Sequence, residues 1–257
     1  MQNRINQLFE NKKNQILSIY FTAGYPRLND TMEILRTLQT KGVDMVEVGI
    51  PFSDPMADGP VIQSSSNCAL RNGMTLQVLF QQLRDLRPEI KVPVLLMGYL
   101  NVVMQYGLER FCRDCQAAGI DGVILPDLPM SDYLETYKPV MDQYGLAMVL
   151  LITPDTSEAR IREIDAHTDS FIYMVSSAST TGAQHRFNEE KLDYFRRINA
   201  MGLQNPRLVG FGISNKETLD AAMENASGAI IGSRFIQCLE QAPSIPAAVD
   251  LLLEGLR

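Results

Sequence analysis

Glu47 ends an apolar run, VDMVEVGI, and eleven residues later Asp58 lies in the Pro/Gly-rich stretch PFSDPMADGP. Two carboxyls so placed have different surroundings. Flanked by Val46 and Val48 at a strand end, Glu47 is expected to have its charged form disfavoured, while Asp58, among loop amides and water, is expected to stay ionised. One acid then holds a proton near neutrality while the other carries charge, the division that general acid–base catalysis uses. Each has a plainer alternative: a structural ion pair for Glu47, and a turn bond within Asp-Gly-Pro for Asp58.

A second chemical signal lies in the last third of the chain. Gly210-Phe211-Gly212 follows the run PRLV, Gly232-Ser233 stands directly before the helical run RFIQCLEQ, and Gly182 sits in the polar stretch SSASTTGAQ. Backbone N–H groups at such glycines can approach an anion without Cβ obstruction. Any one of them reads equally as a turn or a helix cap, but three in successive connections point to a phosphate. Metal and thiol chemistry have no comparable signal. Cys112 and Cys115 form a C-x-x-C inside the helical pattern LERFCRDCQAAG without a second ligand pair, and His167 and His185 are too far apart for a helical metal-ligand pair.

These residues need a scaffold, and the chain supplies a regular one. Eight short apolar runs (ILSIYFTAG, VDMVEVGI, VPVLLMGY, DGVILPD, LAMVLLIT, SFIYMVSS, PRLVGFG and SGAIIGS) alternate with segments of helical periodicity. Near-continuous apolar strands joined by helices imply a covered parallel sheet, and eight β–α units in 257 residues predict an α/β fold, a closed (β/α)8 TIM barrel. No composition shift divides the chain, so residues 1–257 are expected to form one domain. Extra helices are expected at the N-terminus and after strand 2, where VIQSSSNCALRNG precedes a regular helix over Met74 to Arg87. In such a barrel the site lies at the C-terminal strand ends, which the candidate residues share. A net charge of −7, with no Lys/Arg run of three, argues against nucleic acid and anionic membrane as partners. The polar N-terminus and the lack of a 20-residue apolar stretch lead to the expectation of a cytoplasmic protein.

The run PFSDPMADGPVIQ, preceded by EVGI, resembles the signature of the tryptophan synthase α-subunit family, and FTAGYP, Tyr173-x-x-Ser176 with Thr181-Gly182, GFGI and IGS recur in that family's order. The resemblance implies cofactor-free retro-aldol cleavage of indole-3-glycerol phosphate. It implies Glu47 as proton shuttle, Asp58 as acceptor for the indole N–H, and Tyr173 as a supporting hydroxyl. It further implies an apolar indole slot of Phe21, Leu96, Ile124 and Ile230, and a phosphate cradle of Gly182, Phe211, Gly212, Gly232 and Ser233. Thr181 is implied to help close a loop over the site. Ser179 and Thr180 depart from the family's usual S-x-x-G-V-T-G there, replacing the glycine and the valine.

The same resemblance implies an αββα complex with a pyridoxal-phosphate-dependent β subunit, the pyridoxal phosphate not belonging to this chain. The Pro51 to Asp58 loop and the Asn101 to Tyr106 region are the implied contact surfaces, with Asp54 as the candidate for an ion pair across the interface. Three rivals remain at this level: another phosphate-binding barrel enzyme, a non-catalytic activator of the β subunit, and a stand-alone indole-releasing lyase.

Overall fold

The structure is a computed structural model that describes residues 3–176 and 187–257. Nine parallel strands are present among them: β1 Ile16–Thr22, β2 Met45–Gly49, β3 Val94–Met97, β4 Gly122–Ile124, β5 Ala147–Met148, β6 Leu150–Ile152, β7 Ile172–Val175, β8 Arg207–Gly210 and β9 Gly228–Ile231. They pair in the order β5-β4-β3-β2-β1-β9-β8-β7-β6. The two ends of that order belong to one segment, 147–152, so the sheet curls round to meet itself. Eight runs become nine strands because the fifth divides at Val149: residues before it ladder to β4 and residues after it to β7. Val149 N–H still reaches Val123 O at 3.0 Å, so the hydrogen bonding to β4 continues through the division.

The period of two in each strand sorts side chains into two apolar bodies. Met45, Leu95, Ile124, Val149, Phe171, Tyr173, Leu208 and Ile230 fill the barrel interior. Their neighbours in sequence, such as Ile19, Val46, Val48, Val94, Ile172, Val209 and Ile231, face the surrounding helices. The helix Arg4–Asn11, capped by Asn3 accepting from Ile5 N–H at 2.8 Å, belongs to the inner body: Ile5 is fully buried there, and Phe9 lies 5.7 Å from Phe171 between ring centroids. The expected N-terminal helix thus plugs the barrel.

After β2 comes the helix Pro60–Arg71, with Pro60 in the first turn, where a missing N–H costs nothing. The helix expected over Met74 to Arg87 is different in detail. Thr75 caps it by accepting from Val78 N–H, so it begins at Leu76; it tightens into a 3-10 turn at Leu83–Asp85 and resumes over Leu86–Glu89. Pro88 accounts for the break, since it cannot donate to Arg84 O and its ring crowds that carbonyl.

At the N-terminal end of β4, Asp121 ties the barrel base together. Buried to 3% exposure, its carboxylate accepts from Arg4 Nη1 at 2.9 Å, from Val94 N–H at 2.9 Å and from Arg87 Nη2. Its backbone carbonyl accepts from the Asn3 amide at 2.7 Å. Asp121→Ala would leave Arg87 without its counter-charge and Val94 N–H without an acceptor, and a loss of about 3 kcal/mol is expected in urea unfolding.

Candidate active site

Glu47 is the third residue of β2, not its last as the sequence suggested, and its side chain falls on the inward-facing set with Met45 and Gly49. It is fully buried. Oε1 accepts from Ser18 Oγ at 3.1 Å, while Oε2 has no hydrogen-bond partner among the described residues. No ion pair to Glu47 occurs among the described residues, so the structural alternative for this residue has no support. Burial pushes its carboxyl up to about 8, with the Ser18 bond opposing the rise.

Asp58 stands at the entry to the helix Pro60–Arg71, two residues before its first turn. Its loop is folded by Met56 N–H to Asp54 O at 2.9 Å and Asp58 N–H to Pro55 O at 3.1 Å. Its Oδ2 accepts from the Tyr99 hydroxyl at 2.9 Å, and the same hydroxyl accepts from Ala57 N–H at 3.0 Å. The carboxylate is therefore held by a phenol from the β3 side of the barrel, where loop amides and water were expected. Partial burial lifts it to about 6, against the lowering effect of Tyr99. The two acids are separated in proton affinity in the expected sense, although Asp58 is itself shifted upward.

Tyr20 and Tyr173 complete the inner surround. Tyr20 is the Cα partner of Glu47 across β1 and β2, and both tyrosines feel the Glu47 and Asp58 charges in addition to burial, which holds their hydroxyls protonated. Two glycines make room for them. A Cβ on Gly49 would lie 2.1 Å from the Tyr20 hydroxyl oxygen, and one on Gly210 would lie 2.3 Å from that of Tyr173.

A cleft with about 560 Å3 of open space is lined by Asp58, Tyr20, Met97, Tyr173 and Ile230 together with a second group, Phe211, Gly212, Gly232, Ser233 and Arg234. The second group is an anion cradle in form. Phe211 and Gly212 both have positive φ, 70° and 77°, a turn steadied by Ser176 Oγ donating to Phe211 O at 2.6 Å. Ser233 opens the helix Ser233–Gln241, whose N-terminus carries no side-chain cap among the described residues. The first-turn N–H groups, the helix dipole and Arg234 all favour a negative charge there.

Several expectations need correction or limitation. Phe21 and Leu96 are fully buried on the outward face among helix residues, so they do not line the cleft. A one-residue register error is the cause, because adjacent strand residues face opposite sides. Tyr20 and Met97 take the inward places. Ile124 and Ile230 belong to the interior cluster, and Ile230 reaches the cleft. Thr181 and Gly182, with Ser179, Thr180 and His185, lie outside the described residues. Cys112 and Cys115 are free thiols, buried on the helix Leu108–Ala118 and raised by that burial. No cluster of three metal-binding side chains occurs among the described residues.

Residues that pattern reading missed are Ser18, Tyr20, Tyr99 and Arg234. The inward alternation of β1 was the available signal for the first two; nothing in the sequence links Tyr99 to Asp58 across 41 positions. Asp54 is exposed, accepts from Ser53 Oγ, and shares a surface groove with Phe52, Asn101, Val102 and Tyr106, so the loop after β2 and the segment after β3 form one surface. Met56 and Met104 stand exposed at 88% and 61%.

A family model described as tryptophan synthase alpha chain matches residues 6–251. The tryptophan synthase alpha chain of Parabacteroides distasonis is 64% identical over 255 residues, covering 99% of both chains, and that of Bacteroides thetaiotaomicron is 59% identical, covering 99% of this chain and all of its own. Among solved structures, tryptophan synthase subunit alpha from Legionella pneumophila superposes with a TM-score of 0.89 at 34% identity, covering 100% of this chain and 97% of the other. The tryptophan synthase complex from Pyrococcus furiosus gives 0.85 at 31% identity, covering 95% and 98%. With that match running through nearly the whole parallel barrel, the chain belongs to the tryptophan synthase alpha chain family.

Proposed function

We propose that Glu47, Asp58 and the anion cradle carry out one reaction at the barrel mouth. The chain is a lyase of L-tryptophan biosynthesis, cleaving indole-3-glycerol phosphate to indole and glyceraldehyde 3-phosphate as the partner of the β subunit. The observation that carries the assignment of residues is the pair of acids near one cleft, held up to about 8 and about 6 by unequal burial, with the anion cradle lining the same cleft.

The phosphate binds at Gly212, Gly232, Ser233 and Arg234, with Gly182 joining from the connection after β7. The indole lies between Tyr20, Met97, Tyr173 and Ile230. Glu47, protonated at neutral pH, gives its proton to indole C3, and the positive charge passes to the ring nitrogen, whose N–H bonds to ionised Asp58. Glu47, now a carboxylate, takes the proton of the adjacent glycerol hydroxyl. The O–H electrons form the aldehyde C=O, the carbon–carbon bond breaks, and its electron pair restores the aromatic indole. The acid ends as it began, and the indole ring itself is the electron sink, so the chemistry calls for no cofactor. Thr181 is assigned to closing the loop over the site, which excludes water and retains indole.

The β subunit is assigned to the groove where Asp54 and the Asn101 to Tyr106 segment meet, flanked by exposed Met56 and Met104. Residues 1–257 act as one TIM-barrel domain. No helix among the described residues is long and apolar enough to cross a membrane, and we place the enzyme in the cytoplasm.

Glu47→Gln and Asp58→Asn are each expected to lower indole release by about a thousandfold or more while leaving phosphate-ligand binding nearly unchanged; normal turnover in both would remove the assignment. In wild type, kcat/KM should rise with pH as Asp58 ionises near 6 and fall as Glu47 loses its proton near 8. Tyr99→Phe removes a donor to the carboxylate and should move the acid limb upward. Stability gives an independent readout. Glu47's carboxyl is raised on folding, so its contribution is fully present below about 4.5 and is lost as pH climbs to about 8. The Tm of Glu47→Gln should therefore gain on wild type by roughly 5 °C between pH 5 and pH 8 in thermal melts.

A further inference from the structure

Ser18 lies in β1 with Met45 of β2 and Ile230 of β9 as its Cα partners, one inward-facing layer nearer the N-terminal strand ends than Tyr20 and Glu47. Its neighbours in that layer, Met45 and Ile230, are barrel-filling apolar side chains. A fully buried hydroxyl is costly in such a place unless it is bonded, and the bond it makes is to Glu47 Oε1 at 3.1 Å. The other oxygen, Oε2, is buried and has no partner among the described residues. The asymmetry has a chemical consequence. With the Ser18 hydroxyl donating to Oε1, the carboxyl's own proton goes to Oε2, the oxygen that this bond leaves free. Once that proton has left, the same bond steadies the carboxylate and opposes rotation that would exchange the two oxygens.

We propose that Ser18 is a positioning residue for Glu47: its hydroxyl fixes Oε1 and so assigns the transferable proton to Oε2. The proposal rests on the reading of Glu47 as the proton shuttle and specifies which of its oxygens does the work.

The groups around Glu47 make the direction of the effect plain. Tyr20 faces it from β1 and Tyr173 from β7, both neutral phenols; Leu95 is its apolar partner across β3; Asp58 approaches from the loop after β2 on the cleft side. No cation pairs with it among the described residues. Ser18 is thus the group that favours the ionised form, and its removal can move the carboxyl only upward.

The test is kcat/KM for indole-3-glycerol phosphate over roughly pH 5.5 to 9.5, using the full chain with its β subunit, for wild type, Ser18→Ala, Ser18→Cys and Ser18→Thr. Ser18→Ala is expected to shift the alkaline limb to higher pH by about one pH unit, to lower kcat at pH 7 by about tenfold, and to leave KM and the acid limb in place. Ser18→Thr, which keeps the hydroxyl, should restore both, and Ser18→Cys, a weaker donor of similar volume, should fall between. A purely structural role would change stability or KM without moving the limb, and an alkaline limb at the wild-type position in a folded Ser18→Ala would overturn the proposal. Glu47→Gln run alongside separates the two levels: if it remains active, the assignment of Glu47 fails and takes this proposal with it. If it is inactive while the Ser18→Ala limb stays put, only the role of Ser18 fails.

Discussion

A carboxyl buried without a cation among the described residues is the constraint on which this structure depends. Ionised, Glu47 would incur the desolvation of a full negative charge inside a packed barrel, so it holds its proton instead. That state lasts only while water is kept out. The helix Arg4–Asn11 plugs the barrel, with Phe9 against Phe171, and Asp121 locks that helix and Arg87 to the base of β4. A bond network at the base, remote from the mouth, thereby helps to keep a carboxyl near the mouth protonated. The usual division of a barrel into a stabilising bottom and a reactive top holds here, with the buried acid as the link between the two.

The second acid depends on the first through contrast. Glu47 belongs to a strand and Asp58 to a turn entering a helix, so sheet packing governs one and a loop governs the other. The inserted helix Pro60–Arg71 is what places the turn. Ser65 on that helix shares a 2.7 Å hydrogen bond with Thr22 of β1, and Asn72 just beyond it donates to Gly24 O and Pro26 O, both at 2.9 Å. The helix is anchored to the β1 side along its length, and Tyr99 meets Asp58 from the β3 side. Three strands therefore converge on one carboxylate, and the fold separates two otherwise similar groups by about two pH units.

Much of this was legible in the sequence because it is written locally. Alternating apolar and helical runs announced the barrel, Glu47 between two valines announced a buried acid, and of the glycines after the last strands Gly212 and Gly232 meet at one cleft. The failures have equally specific causes. Phe21 and Leu96 were set on the wrong face because a strand reverses its facing at every residue, so a single slip exchanges Tyr20 for Phe21 and Met97 for Leu96. Asp58's partner was invisible because Tyr99 reaches it from the end of the neighbouring strand β3, 41 positions along the chain. The split at Val149 was invisible because it records a change of neighbour, and LAMVLLIT is apolar on both sides of it. Helix boundaries were read loosely where Thr75 and Pro88 set them.

The central claim is that Glu47 is neutral at physiological pH because it is buried. Carbon-detected NMR titration of the side-chain carboxyls, with the Glu47 resonance assigned by its loss in Glu47→Gln, tests this most directly. The account predicts a midpoint near 8 in the folded chain. A midpoint near 4.5, the ordinary value for a glutamate, would show an ionised Glu47 in the resting enzyme and contradict it.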